Sequence, residues 1–232
     1  MRSDKFVADA LGVTRSEARD LIKRGGFTAD GQPLTAPAAH VDTQEIRYNG
    51  EKIVPAGLVY IMMNKPAGVL SATEDKNQRT VLDLLPDSYR RLGLFPAGRL
   101  DKDTEGFLLL TNDGALAHNV LSPKKKVPKT YFARLARELE DEKIYILENG
   151  VDIGGYVTRP CKVEKLDEKT VHITIVEGKF HQVKKMFLAV DNYVEYLKRV
   201  SFAGLELDES LKPGEYRQLC TKEIGRILRT IQ

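Results

Sequence analysis

One short stretch of the chain carries the residues best suited to chemistry. Two carboxylates, Asp101 and Asp103, follow Arg99 in a charged loop bounded by Gly98 and Gly106, and an apolar run comes directly after it. An ionised carboxylate can act as a nucleophile or accept a proton, and a rigid element beside a loop fixes where such groups point. A salt-bridged surface turn is the alternative. The sequence therefore indicates a candidate site centred on this loop.

The motif around these carboxylates resembles a known enzyme signature. Residues 98–114 read GRLDKDTEGFLLLTNDG, which is similar to the G-R-L-D-x-x-T-x-G-L signature of the pseudouridine synthases, in particular the ribosomal small-subunit branch. The one departure is Phe107 where leucine is usual, a conservative change at an apolar position. In that family the aspartate of R-L-D is the catalytic residue. The resemblance therefore implies that Asp101 is catalytic.

Two further stretches resemble the other catalytic motifs of this family. Residues 129–131, Lys-Thr-Tyr, match the motif whose tyrosine stacks on the target base. Residues 178–186, GKFHQVKKM, match the motif whose basic residue pairs with the catalytic aspartate. The resemblance thus implies catalytic roles for Tyr131 and Lys184, although each alone also suits a half-buried strand or a solvated helix start. We assign His181 a structural role and no part in catalysis.

The chemistry of uridine isomerisation agrees with these roles. The reaction breaks the bond between ribose C1′ and uracil N1 and joins C1′ to C5, so nothing is oxidised or hydrolysed. It needs an ionised carboxylate near C1′, which a cation such as Lys184 stabilises. The ring of Tyr131 offers a stacking face to a flipped-out base, and its hydroxyl is a candidate acceptor for the C5 proton. We expect no cofactor and no metal, since the sequence has no Walker A loop, GxGxxG motif or Cys/His metal set.

The composition is typical of a soluble protein, and the length permits either one large domain or a small domain with a larger one. The chain has 232 residues, of which 42% are hydrophobic and 30% charged. No apolar run approaches the roughly 20 residues that span a bilayer, and we expect neither a signal peptide nor a membrane partner. Cys161 and Cys220 lie far apart and match no metal spacing, so we expect reduced thiols and a cytoplasmic location.

Residues 1–57 are predicted to form a separate module. A short helix pattern at residues 4–11 precedes the capping box at residues 14–17, which opens a second helix ending at Gly25. Short strands follow at residues 27–29 and 46–48, beside turn dipeptides. These features predict two helices packed beside a small strand hairpin.

This module resembles the S4 RNA-binding domain. The resemblance rests on R-x-D-K-F at residues 2–6, LGVTRSEAR at residues 11–19 and the Asp-Gly turn at residues 30–31. Arg15, Arg19 and Lys23 recur every four residues and would form a basic ridge facing RNA. A helical cap on the larger domain is the alternative.

The larger domain is predicted at residues 59–232, after a linker at about 51–58. Apolar runs at residues 59–63 and 107–111 indicate buried strands, and period-two runs at 161–166 and 171–176 indicate an antiparallel pair. Helices are expected at residues 138–149 and 222–231 among others. Because strands and helices intermix without strict alternation, we predict an α+β fold: a small S4-like α/β domain, then a synthase domain on a mixed, mainly antiparallel sheet flanked by helices.

Basic residues are clustered although the net charge is only +3, from 36 Lys+Arg against 33 Asp+Glu. A basic patch supplies the electrostatic footprint of a nucleic-acid binder, although a cluster of charge also suits a solvated face. We expect the lysines at 124–129 to form a phosphate-contact strip, and Arg99 to position the loop or the RNA backbone. The candidate RNA-binding residues are Arg15, Arg19, Lys23, Arg99, Lys124, Lys125, Lys126 and Lys129.

The resemblance also implies a substrate. We predict a cofactor-independent pseudouridine synthase that acts as a monomer on 16S rRNA, in an assembling small-subunit particle. A large-subunit (23S) rRNA synthase and a non-catalytic S4-type assembly factor are the alternatives. The intact set of Asp101, Tyr131 and Lys184 favours an enzyme over the assembly factor.

Overall fold

The computed structural model describes residues 1–42, 44–54, 57–90 and 92–231. The chain divides into two compact units, one of Met1–Val59 with Leu85–Phe95 and one of Tyr60–Leu84 with Pro96–Gln232. Residues 85–95 were predicted to lie in the larger domain, but they group with the first unit. Residues 55 and 56 of the predicted linker lie outside the described residues.

The first unit contains the predicted pair of helices and a small sheet. Within the described ranges its elements are α1 (Ser3–Leu11), α2 (Arg15–Arg24), β1 (Phe27–Ala29), β2 (Gln32–Pro33), β3 (Ile46–Tyr48), β4 (Glu51–Lys52) and α3 (Asp87–Arg90). The strands are antiparallel in the order β2-β1-β3-β4. The predicted capping box is confirmed, because the Glu17 N–H donates to the Thr14 side chain and the Thr14 N–H donates to the Glu17 carboxylate.

A buried aspartate lies at the base of the predicted basic ridge. The side chains of Arg2, Arg15 and Arg19 all donate to the Asp4 carboxylate, at distances between 2.9 and 3.2 Å. Burial alone would raise the pKa of Asp4, but these guanidinium hydrogen bonds hold it well below its usual range. The Arg15 and Arg19 side chains remain 51% and 49% exposed. The ridge therefore exists, and two of its members are anchored to the fold.

The remaining elements follow along the chain. They are β5 (Tyr60–Lys65), a 3-10 turn (Val81–Leu84), β6 (Phe95–Pro96), β7 (Glu105–Thr111), α4 (Gly114–Leu121), β8 (Lys129–Leu135), α5 (Asp141–Asn149), β9 (Lys162–Lys165), β10 (Thr170–Ile175), α6 (Gln182–Leu188), β11 (Val194–Phe202), β12 (Leu205–Glu206), β13 (Tyr216–Gln218) and α7 (Thr221–Thr230). Helix α5 begins later than predicted, because the Leu139 N–H bonds to the Glu168 carbonyl instead of starting a helical turn.

The second unit is built on one large sheet. Its strands run in the order β13-β5-β7-β11-β8-β10-β9, and β12 pairs with β11. Strands β7 and β11 are parallel, while the other neighbours along this path are antiparallel. The predicted α+β class, the mixed sheet and the β9–β10 pair are therefore confirmed. Strands β5 and β7 are buried on both faces, which accounts for their continuous apolar sequence.

Gly106 occupies the point where the charged loop meets this sheet. It has a φ of 103°, and a Cβ there would collide with the backbone carbonyl of Arg199 on β11. Both the positive φ and the close approach require glycine. The loop that carries Asp101 is therefore seated directly against strand β11.

Candidate active site

The loop that carries Asp101 is held from below by a buried lysine. Lys65, the last residue of β5, is fully buried, and its ammonium donates to the backbone carbonyls of Pro66, Asp101, Lys102 and Thr104 at 2.9–3.2 Å. A lysine has three N–H donors, so they are shared among these acceptors. Burial lowers the pKa of Lys65 to about 8, against the raising effect of nearby carboxylates. Lys65 therefore fixes the loop backbone at Asp101 and at the residues that follow it.

A second anchor holds the other side of the loop. The Ser71 hydroxyl donates to the Leu100 carbonyl at 2.9 Å and accepts from the Leu100 N–H at 3.0 Å. The Gly68 N–H donates to the Lys102 carbonyl at 2.7 Å. The Thr104 N–H closes the turn on the Asp101 carbonyl at 3.1 Å. The loop is thus a rigid structure and not a freely moving surface segment.

Two cationic or ionisable groups face the Asp101 carboxylate. Lys184 Nζ lies 3.6 Å from Asp101 Oδ2, and His181 Nε2 lies 3.7 Å from Asp101 Oδ1. The Asp101 side chain remains 25% exposed, so a substrate can still reach it. The structure therefore brings together Asp101 and Lys184, as the sequence predicted, and adds His181 to the same cluster.

Lys184 makes its shorter contact with the neighbouring carboxylate. Its ammonium lies 2.5 Å from Asp103 Oδ1, and this hydrogen bond lowers the pKa of Asp103. Lys184 thus bridges two carboxylates separated by one residue. Asp103 is 73% exposed, whereas Lys184 is 24% exposed. Of the two carboxylates, Asp101 is the one directed into the protein.

A cavity of about 890 Å³ opens in front of Asp101. This size falls within the range of ordinary ligand pockets. Tyr131 on β8 lines the cavity and is 8% exposed, while Lys184 reaches Asp101 from helix α6. Three sequence-distant segments therefore converge on one site. Within the described ranges, no group of three or more His, Cys, Asp or Glu side chains is arranged to hold a metal ion.

Lys129 lies inside this cavity and not on an exposed strip. It begins β8, is 8% exposed and donates to the Val127 carbonyl at 2.9 Å. Alternate residues of a strand share a face, so Lys129 points to the same side as Tyr131. Burial lowers the pKa of Lys129 to about 8, and the positive charge of Arg199 adds to this effect. Contact of Lys129 with RNA remains a prediction. From this position the contact would be with a nucleotide inside the cavity.

Arg199 on β11 is a buried cation that was not among the candidate residues predicted from the sequence. It lines the cavity, is 2% exposed, and donates from Nε to the Phe107 carbonyl at 2.7 Å. Its Nη2 is buried and has no hydrogen-bond partner among the described residues. Buried polar groups are normally hydrogen-bonded. The unpaired Nη2 group of Arg199 is therefore available to donate to a ligand in the cavity.

The other candidate RNA-contact residues lie on the surface. Arg99 is exposed and also lines the cavity, which fits a role beside the catalytic loop. Lys124, Lys125 and Lys126 are exposed in the turn before β8. In the first unit, Lys23 is exposed on α2 with the two ridge arginines. These side chains are accessible, and their contacts with RNA remain predictions.

Sequence reasoning missed Lys65, and a signal for it was available. The apolar run at residues 59–63 is followed directly by Asn64 and Lys65, so a lysine at the end of a buried strand was a candidate for burial. Buried lysines need several acceptors, and the nearest ones are backbone carbonyls. By contrast, the position of His181 beside Asp101 depends on long-range packing, which no local pattern encodes.

The site and the fold together define an enzyme class, and comparison with known proteins agrees. A family model described as RNA pseudouridylate synthase matches residues 59–189, and the S4 domain model matches residues 1–46. The chain is 35% identical to a solved pseudouridylate synthase, with a TM-score of 0.71 over 98% of this chain and 99% of that one.

Individual relatives match along nearly the whole chain. An RNA pseudouridine synthase of Bacillus subtilis, named as uncharacterized, is 52% identical over 97% of each protein. The ribosomal small subunit pseudouridine synthase A of Vibrio cholerae is 43% identical over 98% of this chain and 99% of its own. The Escherichia coli protein of the same name is 38% identical over 98% of this chain and all of its own. The chain belongs to the RNA pseudouridine synthase family and carries an S4 domain.

Proposed function

We propose that this protein converts one uridine of small-subunit (16S) ribosomal RNA to pseudouridine. The observation that carries the proposal is that Asp101 and Tyr131 line a single cavity, with the Lys184 ammonium 3.6 Å from the Asp101 carboxylate. A binding factor without catalysis would not require a carboxylate fixed by two anchors and faced by a cation. The RNA-contact residues and the S4 domain fit a polynucleotide substrate and not a free nucleoside.

The reaction follows from the geometry of this cavity. The uridine leaves the RNA stack and its base enters the cavity, where Tyr131 offers a ring face. The Asp101 carboxylate acts at C1′, as the nucleophile or as the group that draws off a proton. The N1–C1′ bond breaks, the uracil turns, and a C5–C1′ bond forms. N1 gains a proton and C5 loses one, for which the Tyr131 hydroxyl is a candidate acceptor.

Charge at the site supports the same assignment. The Lys184 ammonium lies 3.6 Å from the Asp101 carboxylate, and the buried Arg199 and Lys129 supply donors on the wall that a uracil, with its two carbonyl oxygens, could meet. No helix of the described part of the chain is long and apolar enough to cross a membrane. We propose that the protein acts in the cytoplasm as a monomer, on RNA within an assembling small-subunit particle.

The choice of small-subunit RNA rests on relatives. Two proteins that match over nearly the full length are named ribosomal small subunit pseudouridine synthase A. The B. subtilis relative, at 52% identity, carries a name that specifies no RNA. A large-subunit substrate is therefore the competing assignment.

The experiment that tests the substrate is a map of pseudouridines in ribosomal RNA from cells lacking this protein. We expect one pseudouridine to disappear from 16S rRNA and to return when the wild-type gene is restored, but not when Asp101→Asn is supplied. Loss of a pseudouridine from 23S rRNA instead would show that the protein modifies large-subunit RNA. An unchanged map in both RNAs would contradict the proposed function.

The state of the RNA can be tested with purified protein. Tritium release from C5-labelled uridine is measured on naked 16S transcript and on a partly assembled particle. We expect faster release from the particle, and equal or faster release from naked transcript would contradict the particle as substrate. Sedimentation at the assay concentration should give the mass of one 26.0 kDa chain.

A further inference from the structure

One aromatic side chain at the cavity is exposed without being used by the mechanism. Phe180 is 69% exposed and lines the cavity that holds Asp101. Tyr145 and Tyr193 are comparably exposed in the described part of the chain, but neither lines that cavity. Single exposed aromatics are common and need no explanation. The position of Phe180 at the site of chemistry sets it apart from the other two.

The Phe180 ring is part of an ordered stack. Its centroid lies 3.8 Å from that of the His181 ring, with 20° between the planes. The same His181 lies 3.7 Å from Asp101 through Nε2. The stack therefore extends from the catalytic carboxylate to an exposed aromatic face.

The segment that carries this stack is held in one conformation. His181 has a φ of 53°, an uncommon region for a residue other than glycine, and its carbonyl accepts from the Lys185 N–H at 2.9 Å. The Lys179 N–H donates to the buried Gln182 side chain at 2.9 Å, and that side chain donates to Glu177 at 2.8 Å. The backbone on both sides of His181 is therefore held by hydrogen bonds. The ring can therefore receive a partner at little cost in conformational entropy.

Cations accompany the aromatic groups of this region. Lys185 Nζ lies 5.4 Å from the Phe180 ring centroid, and Lys179 Nζ lies 4.2 Å from that of Tyr156, which also lines the cavity. Proteins bind unpaired nucleic acid with this combination, in which bases stack on aromatic faces and cations follow the backbone. The chemistry of the surface thus matches an RNA base and its phosphate better than an apolar peptide.

We propose that Phe180, backed by His181, is a stacking platform for an unpaired RNA base next to the uridine that enters the cavity. This inference rests on the proposed function and specifies how that substrate is held. A flipped uridine leaves its neighbour without a stacking partner on one side. The exposed face of Phe180 replaces that partner, so the flipped state is favoured. Phe180 is a positioning residue, and it takes no part in bond breaking.

The first test compares kcat/KM for tritium release from C5-labelled 16S transcript. Phe180→Leu keeps an apolar side chain but removes the flat face, and we expect kcat/KM to fall roughly tenfold or more, the effect of losing one base–aromatic stack. Phe180→Tyr keeps the face and should stay within about threefold of wild type. Tyr145→Leu, which removes an equally exposed aromatic outside the cavity, should leave kcat/KM unchanged.

The second test detects the stack itself. A ten-nucleotide single-stranded RNA carries 2-aminopurine next to one uridine, and its fluorescence is titrated with each protein. Wild type and Phe180→Tyr should alter the fluorescence, and Phe180→Leu should not. An equal change with Phe180→Leu, or no change with wild type, would overturn the proposal.

The two hypotheses fail in different ways. Wild-type protein without tritium release on any ribosomal RNA would refute the proposed function. Active wild type with Phe180→Leu within twofold of it would refute the platform alone. Melting temperatures of all three variants should match wild type, since an exposed side chain contributes little to stability. A Phe180→Leu variant that loses activity only in proportion to lost folded protein would also contradict the platform.

Discussion

At the scale of single residues, the site depends on one lysine that contacts two carboxylates. Lys184 lies 2.5 Å from Asp103 and 3.6 Å from Asp101, so the cation is shared by both carboxylates. The sequence motif indicated only the pair with Asp101. The structure shows a cluster in which Asp103 holds Lys184 in place while Asp101 faces the cavity. The position of Lys184 beside Asp101 therefore depends on its contact with Asp103 as well.

Removal of the Lys184 charge tests this arrangement. Lys184→Met keeps the apolar stem but leaves Asp101 without its cation, and we expect kcat to fall by about 100-fold or more, the usual scale for losing one preorganised electrostatic group. Lys184→Arg keeps the charge in a different geometry and should retain partial activity. Asp103→Asn should cost less than tenfold, because Lys184 can still pair with Asp101. Full activity of Lys184→Met in the tritium-release assay would contradict the cluster.

The buried Lys129 should make stability depend on pH. Its pKa is about 8 in the folded protein and about 10.4 when unfolded, so the unfolded chain binds more protons between these values. The free energy of unfolding therefore rises with pH in that window. Relative to Lys129→Met, wild type should gain about 1–2 kcal/mol between pH 7.5 and pH 9.5 in urea unfolding. The exposed Lys126→Met variant serves as control and should follow the wild-type curve. Parallel curves for wild type and Lys129→Met would show that Lys129 is not buried.

At the scale of elements, strand β5 anchors the charged loop. The strand places the Lys65 ammonium beneath the loop, where it donates to the carbonyls of Asp101, Lys102 and Thr104. The turn that follows the strand is joined to the same loop, because the Gly68 N–H donates to the Lys102 carbonyl. The part that no turn pattern predicts is that the lysine itself organises a loop distant in sequence.

Replacement of Lys65 tests whether it anchors the loop. Lys65→Met leaves several buried carbonyls without their donor, and we expect the free energy of unfolding to fall by about 1–3 kcal/mol. Activity should fall further than stability explains, since the Asp101 backbone loses its anchor. Lys76→Met, an exposed lysine of the same unit, should change neither quantity. Wild-type stability in Lys65→Met would mean that the loop is held by Ser71 and Gly68 alone.

Much of the site could be predicted because three motifs resemble those of a known enzyme family. The resemblance implied roles for Asp101, Tyr131 and Lys184, and the structure brings the segments that carry them to one cavity. The patterns did not identify Arg199 as buried, because local charge density cannot distinguish a solvated cluster from a strand residue facing a pocket. Nor could they show that Asp4 binds the ridge arginines. Such contacts join residues whose proximity is set by tertiary packing.

At the scale of the whole molecule, RNA affinity must come from local charge. The net charge of +3 is small, so a diffuse electrostatic attraction would be weak. Exposed lysines and arginines occur in both units, and each unit contributes candidate contacts. Affinity that rests on a few phosphate contacts has a measurable signature in its salt dependence.

Replacement of the lysines at 124–126 by glutamine tests this origin of affinity. Each lost phosphate contact lowers the slope of log affinity against log salt by about 0.7 for single strands, so the triple variant should lose about 2. At saturating RNA its kcat should stay near wild type. A control triple at Lys162, Lys169 and Lys222, all exposed, removes equal charge and should change the slope much less. Equal slopes for both triples would show that these lysines have no special role.

The most direct test of the central claim is the turnover of Asp101→Asn on the ribosomal RNA that wild type modifies. Asparagine keeps the size and hydrogen bonding of the side chain but cannot ionise. We expect tritium release to fall below detection while RNA affinity and melting temperature stay within error of wild type. Pseudouridine formation by Asp101→Asn at a rate near that of wild type would contradict the assignment of Asp101 as the catalytic residue.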